Sequence, residues 1–249
     1  MVKRHGIVAG VSAAFRGLRI ATNTREVGRA YLKLAAVVLA LSIVLDIAGI
    51  WTVLHFTAGD GDGEWWARIG LILLRVAGIG IVLLAAPVIA MFISNTLFPF
   101  LSERVFLAGM RAVDPARADQ LAAMPGLPLA TAISQNLIRM MLFIALSVAA
   151  FAFSFVPVVG SIGGPILQAY FTARALGWEL LDPYFEKLEY RFDAQHRFVR
   201  EHRAPLVGFA LPYSLVMAIP ILGPFAFGIA QAAAGVFTRE ILETPPPQD

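Results

Sequence analysis

Cysteine is absent from the 249-residue chain, which excludes disulfide staples and thiolate chemistry alike. Charge is scarce: Asp, Glu, Lys and Arg make up 15% of the residues, where a soluble domain carries about 25%. Histidine contributes four positions, His5, His55, His196 and His202, with no His-x-x-x-His pair, so neither a metal site nor a cofactor is expected. Walker loops, His-Glu-x-x-His and Gly-x-Ser-x-Gly are all missing, and enzymatic function is not expected. The formal net charge of +3 is too small to imply a nucleic-acid partner.

What fills the chain instead is hydrocarbon: 58% of residues are hydrophobic, and phenylalanine alone supplies 18. One pattern occurs twice, an apolar arm, a proline-glycine break and a second apolar arm. The first copy, Asn136 to Leu180, breaks at Pro157-Val-Val-Gly160-Ser-Ile-Gly-Gly164-Pro165. The second, Pro205 to Ile241, breaks at Pro220-Ile-Leu-Gly223-Pro224. A bilayer core about 30 Å thick needs about 20 helical residues to cross. The arms Leu206–Ala218 and Phe225–Phe237 reach only about 20 Å each at about 1.5 Å per residue. They are too apolar for water and too short to span, as a re-entrant hairpin would be. Proline suits a first helical position, so outgoing helices are expected to restart at Pro165 and Pro224.

Leu34–Leu54 and Ile69–Phe98 are each long enough to cross, the second with tilt or a kink at Pro87. Trp51, Trp65 and Trp66 stand at their ends as interfacial anchors. The loop Ala58–Trp66 carries Asp60, Asp62 and Glu64 and no basic residue. Seven Lys/Arg precede Leu34, three lie in Glu103–Arg117 and six in Arg174–Arg203. The positive-inside rule then puts the acidic loop outside and both termini in the cytoplasm. No cleavable signal peptide is read at the N-terminus, where Ile7, Val11, Phe15 and Leu18 recur at helical spacing. That marks an amphipathic helix in the membrane interface or packed on the protein's own cytoplasmic face.

The expected fold is therefore an all-α integral membrane protein, with two transmembrane helices, two re-entrant helical hairpins and amphipathic cytoplasmic helices. A single domain spans 1–243: N-terminal interfacial helix 1–33, first span 34–55, second span 67–98, first hairpin 136–181 and second hairpin 205–241. Residues 244–249 are expected to form a disordered tail, and Asp114–Pro128 a surface loop. By length Leu137–Val156 also suffices to cross; dipping is preferred because Arg111–Arg117 and Arg174–Arg203 then share a side.

Three groups of residues carry the functional expectations. Asp46 and Arg75 lie at similar depth in the two spans, either as an ion-pathway element or as a pair holding the helices together. Gly160, Gly163, Gly164 and Gly223 bring backbone close to a ligand at the hairpin tips, where helix N-termini favour an anion; the simpler alternative is tight turns. Arg25, Arg29 and Lys33 share one helix face and suit an anion at the cytoplasmic mouth, or lipid headgroups.

The stretches Asn95-Thr-Leu-Phe-Pro-Phe100, Phe155-Val-Pro-Val-Val-Gly160, Leu181-Asp-Pro-Tyr-Phe185 and Ile219-Pro-Ile-Leu-Gly-Pro224, in that order, resemble the CysZ sulfate permease family. That family is grouped with the etoposide-induced membrane proteins. The similarity runs from Gly17 to Ile241. It implies an oligomeric channel in a bacterial inner membrane, passing sulfate or a similar small anion through the lipid bilayer to support cysteine synthesis. Adjacent arginines near the start of the first membrane helix are associated with sulfate in the family; here the stretch reads Arg25-Glu-Val-Gly-Arg29. The alternative function is a non-transporting membrane scaffold or membrane-shaping protein.

Overall fold

The computed structural model of the protein describes residues 6–58, 65–219 and 221–243. The acidic loop, the C-terminal tail and Pro220 of the second break lie outside the described residues. No strand occurs among the residues described. The chain is an all-α membrane protein.

Helix α1 (Ile7–Asn23) and helix α2 (Arg25–Phe56) are separated by one extended residue, Thr24. The interfacial helix expected over 1–33 thus ends early, and Arg25, Arg29 and Lys33 belong to the first turns of the spanning helix. Helix α3 (Trp65–Leu97) runs back unbroken through Pro87. At about 1.5 Å per residue both α2 and α3 exceed the hydrocarbon thickness. Helix α4 (Pro99–Arg111) opens on a proline whose missing N–H is harmless in a first turn.

The expected surface loop at Asp114–Pro128 contains a helix, α5 (Pro115–Ala122). Asp114 caps it by accepting a hydrogen bond from the Arg117 N–H at 3.0 Å, and Ala118 and Leu121 are buried beneath it. Helix α6 (Leu129–Phe153) and helix α7 (Val159–Leu180) form the first hairpin. With 25 residues, α6 is apolar and long enough to cross a membrane, as α2 and α3 are. Two short helices, α8 (Asp182–Lys187) and α9 (Phe192–Glu201), connect the two hairpins. The second hairpin pairs α10 (Arg203–Met217, 15 residues) with α11 (Leu222–Phe237, 16 residues), ending in a π-helical turn at Thr238–Leu242. Its arms fall short of a crossing, as their sequence implies.

The two hairpins differ in surroundings. Helix α11 is buried along nearly its whole length, packed by α1, α4 and α10. Small residues make that possible: a Cβ on Gly109 of α4 would overlap the Ala232 carbonyl, and one on Gly10 of α1 would overlap the Pro205 carbonyl. Phe106, Phe185, Phe209 and Phe237 are fully enclosed here, each contributing about 1.5–3 kcal/mol of burial. Helix α1 turns its glycines and alanines inward, while Val8 and Phe15 are 82% and 60% exposed. By contrast, α6 packs mainly along α7, and α7 leans on α10.

Candidate functional site

At the start of α2, Arg25, Arg29 and Lys33 project from one exposed face. Among the described residues, none of the three has a carboxylate partner. Glu26, the acidic residue of that first turn, is held by Arg111 of α4 at 2.6 Å, and Arg111 also bonds Asp119 at 2.7 Å. Thr24 offers no side-chain cap, because its hydroxyl donates back to the Ile20 carbonyl at 2.8 Å. The face thus combines unpaired cations with an uncapped helix N-terminus, both favourable to an anion. Beyond its chain neighbours and its own helix backbone, nothing lies within 4 Å of where a Gly28 Cβ would stand, so the surface beside Arg25 and Arg29 is open.

The hairpin tips are closed. Helix α7 begins at Val159, not at Pro165, which sits inside it. Val158 has φ 64 and ψ −57, and Pro157 O accepts from Val159 N–H at 2.7 Å, a strained three-residue γ-turn. The Gly160 N–H is taken by Val156 O at 2.8 Å. A Cβ on Gly160 would overlap the Phe153 carbonyl, and one on Gly164 the Ser154 hydroxyl; Gly163 abuts the Phe153 ring. Gly223 approaches Met217 O in the same manner, its N–H bonded to Ile219 O at 2.7 Å. What these glycines bring close is the first arm of their own hairpin. Helix α11 does restart near Pro224, which falls in its first turn.

Asp46 and Arg75 do not form the expected ion pair. Arg75 Nε donates to Thr57 Oγ1 at 3.0 Å, and its Nη2 donates to the Thr57 carbonyl at the C-terminal end of α2. The long side chain reaches toward the C-terminal end of α2 and neutralises the negative end of a helix dipole there, which outcompetes a partner within the helix. Asp46 Oδ1 is left enclosed without a hydrogen-bond partner.

A further cluster lies where α6, α7 and α8 meet. Arg139, only 8% exposed, places Nη1 2.5 Å from Asp182 Oδ1 and Nη2 3.9 Å from Glu179. Yet none of its Nε, Nη1 and Nη2 atoms has an aligned hydrogen-bond acceptor. Glu186 stands nearby, and burial together with the charge of Asp182 pushes its carboxyl up to about 8. Lys187 bridges Glu103 at 3.1 Å. The sequence signal for this cluster was an arginine within an otherwise apolar arm, four residues after the buried Gln135. Two glutamines pin the frame. Gln195 accepts from Trp178 Nε1 at 2.8 Å and donates to Gln135 Oε1 at 2.6 Å, while Gln231 of α11 donates to the Leu180 carbonyl at 2.8 Å.

Residues 13–227 match the family model described as sulfate transporter CysZ/etoposide-induced protein 2.4. The chain belongs to this family. Among curated proteins no match was found. The matched region runs from α1 into the first turns of α11, so it includes the cation row, both tips and the Arg139 cluster. Membership in the CysZ/etoposide-induced family makes the chain a sulfate-transporter-like, multi-pass membrane protein. No cluster of His, Cys, Asp and Glu suited to a metal occurs among the described residues.

Proposed function

We propose that the protein is an inner-membrane permease or channel for sulfate or a related small oxyanion, working as a homo-oligomer with both termini in the bacterial cytoplasm. The observation that carries this reading is the α2 face, where Arg111 draws Glu26 away and leaves Arg25, Arg29 and Lys33 unpaired around an open helix start. In this reading the face gathers the anion at the cytoplasmic mouth. Gly160, Gly163, Gly164 and Gly223 serve it by keeping the hairpins closed and narrow, Asp46 by placing a carboxyl group within the first span, and Arg75 by tying the second span to the end of the first at Thr57.

The test is sulfate flux in proteoliposomes. Arg29→Ala should lower uptake with folding intact, because an exposed charge contributes little to stability. Arg111→Gln should lower it as well, since Glu26 is then released to compete for Arg25 and Arg29. Sulfite, thiosulfate, selenate and molybdate are the competitors to try. Should wild-type protein pass none of these above protein-free liposomes, the non-transporting scaffold takes its place; the packing of the tip glycines against their own arms is the observation that favours that second reading.

A further inference from the structure

Helices α3 and α6 do not pack closely on one another. Between them and α7 lies a cavity of about 340 Å³. Its walls are hydrocarbon, with Phe92 from α3, Leu142 and Leu146 from α6 and Phe171 from α7, and Phe227 closes the back. Asn136 and Leu146 both line it, ten residues apart on one helix, so it runs about 15 Å along α6. The polar groups gather at the end nearer the start of α6 and the end of α3: Asn95, Asn136, Arg139 and Arg174, with Glu179 beside them.

That end has two signs of charge. Arg174 has no carboxylate partner among the described residues and lies over the Trp178 ring at 5.4 Å. Arg139 is more than nine-tenths buried, lines the cavity and has no aligned acceptor on any of its three nitrogens. Next to it a second, polar cavity of about 20 Å³ shares Asn95, Asn136 and Glu179 and adds Asp182 and Glu186. Such a space holds one water-sized group. A bare oxyanion suits neither part. It would lose its hydration against hydrocarbon walls and meet carboxylates beside Arg139. A molecule with a long apolar chain, a phosphate and a small cation a few ångströms beyond fits all three features.

We propose that this crevice is a binding site for one phospholipid with a primary-amine headgroup, of the phosphatidylethanolamine kind. One acyl chain lies along α6 in the large cavity and fills the gap that α3 and α6 leave. The phosphate meets Arg174 and the Nε side of Arg139, whose Nη atoms are ion-paired, and the ammonium enters the small cavity toward Asp182, with the carboxyl groups of Glu179 and Glu186 beside it. Size sets the selectivity: an ammonium is about as large as a water, whereas a trimethylated choline overfills the small cavity. The site is separate from the α2 cation face and does not depend on the transport reading.

The test uses the full chain purified in a neutral detergent, with retained lipid counted by native mass spectrometry. Palmitoyl lysophospholipids carrying ethanolamine, choline or glycerol are titrated in parallel, with inorganic phosphate and sulfate as the arms without a chain. One ethanolamine phospholipid per protomer is expected, the ethanolamine lysolipid binding about tenfold or more tightly than the choline and glycerol forms. Ala175→Phe, at a half-buried wall position, should displace the chain from the large cavity. Arg174→Gln removes a half-exposed cation and should weaken binding about tenfold while the protein still folds. Equal binding of the glycerol form, lipid retention by Ala175→Phe, or equal stabilisation by phosphate or sulfate alone would each overturn the proposal. Since no flux is measured, these outcomes are independent of whether oxyanion transport succeeds.

Discussion

Gln195 is the most exacting place to test how the first hairpin is held. It is 1% exposed and sits on α9, yet it reaches both arms of the hairpin. Its Oε1 accepts from Trp178 Nε1 of α7 at 2.8 Å; its Nε2 donates to Gln135 Oε1 of α6 at 2.6 Å and to the Tyr190 carbonyl at 2.8 Å. Gln195→Leu keeps the approximate volume and strands two buried polar groups, Trp178 Nε1 and Gln135 Oε1, besides releasing the part-buried Tyr190 carbonyl. A buried group left unsatisfied costs about 1–3 kcal/mol, so the loss should be at least about 2 kcal/mol. For a chain of this size that corresponds to a melting point lower by about 4–8 °C. Thermal unfolding in detergent, followed by tryptophan fluorescence, reads it directly, and Trp178 itself is a reporter. The double variant Gln195→Leu/Trp178→Phe separates this network from general core damage. Because the two side chains share a hydrogen bond, their losses should fall short of additive. Strictly additive losses, or a shift of less than about 2 °C for Gln195→Leu, would refute the reasoning.

Two other outcomes follow from the ionisable groups. Native Glu186 holds its proton up to about pH 8, whereas its ordinary value is 4.5, so between those values the folded state binds more protons than the unfolded one. Stability should therefore fall as pH rises from about 4.5 to 8 and level off above; Glu186→Gln should flatten melting curves taken from pH 5 to 9, and parallel curves would refute it. For Asp46 and Arg75, the damage from Asp46→Asn and Arg75→Gln should add, because Arg75 bonds Thr57 instead. Rescue in a variant that exchanges the two residues would show that they pair after all.

The two long apolar helices and the short arms of the second hairpin were legible, because length and apolarity dictate them directly. Which faces meet protein was not. In α1, the stripe of Ile7, Val11, Phe15 and Leu18 suits either the membrane interface or the protein's own face; Ile7 and Phe15 stay exposed, and the face that packs on protein is Gly10, Ala13, Ala14, Gly17 and Ala21. Lipid is as apolar as the side chains it meets, so large residues gain little by packing inward, and close approach between backbones is decided by the small ones. The break at Thr24 escaped notice for another reason: a single extended residue interrupts an otherwise continuous helical pattern. Arg139 was passed over because its partners, Glu179 and Asp182, come from the far arm of the hairpin and the connector, at a separation that periodicity does not register.

The repeated arm-break-arm pattern is thus a repeat of sequence and not of role. In the second hairpin, α11 has protein on nearly every side and its glycines receive neighbouring helices: Gly235 abuts the Phe106 carbonyl of α4, and Gly228 the Tyr31 ring of α2. In the first, the tip glycines serve the contact between α6 and α7 while Gly177 receives Leu206 of α10, and the outer face of α6 meets neither α3 nor α4 closely. A hairpin enclosed on all sides is fixed by its packing. A hairpin packed along one edge is fixed by a few polar bonds at its base, those of Gln135, Arg139, Trp178 and Gln195. The polar base of the first hairpin therefore sets the width of the crevice beside α3, and any ligand of that crevice is coupled to the position of α6 through Arg139.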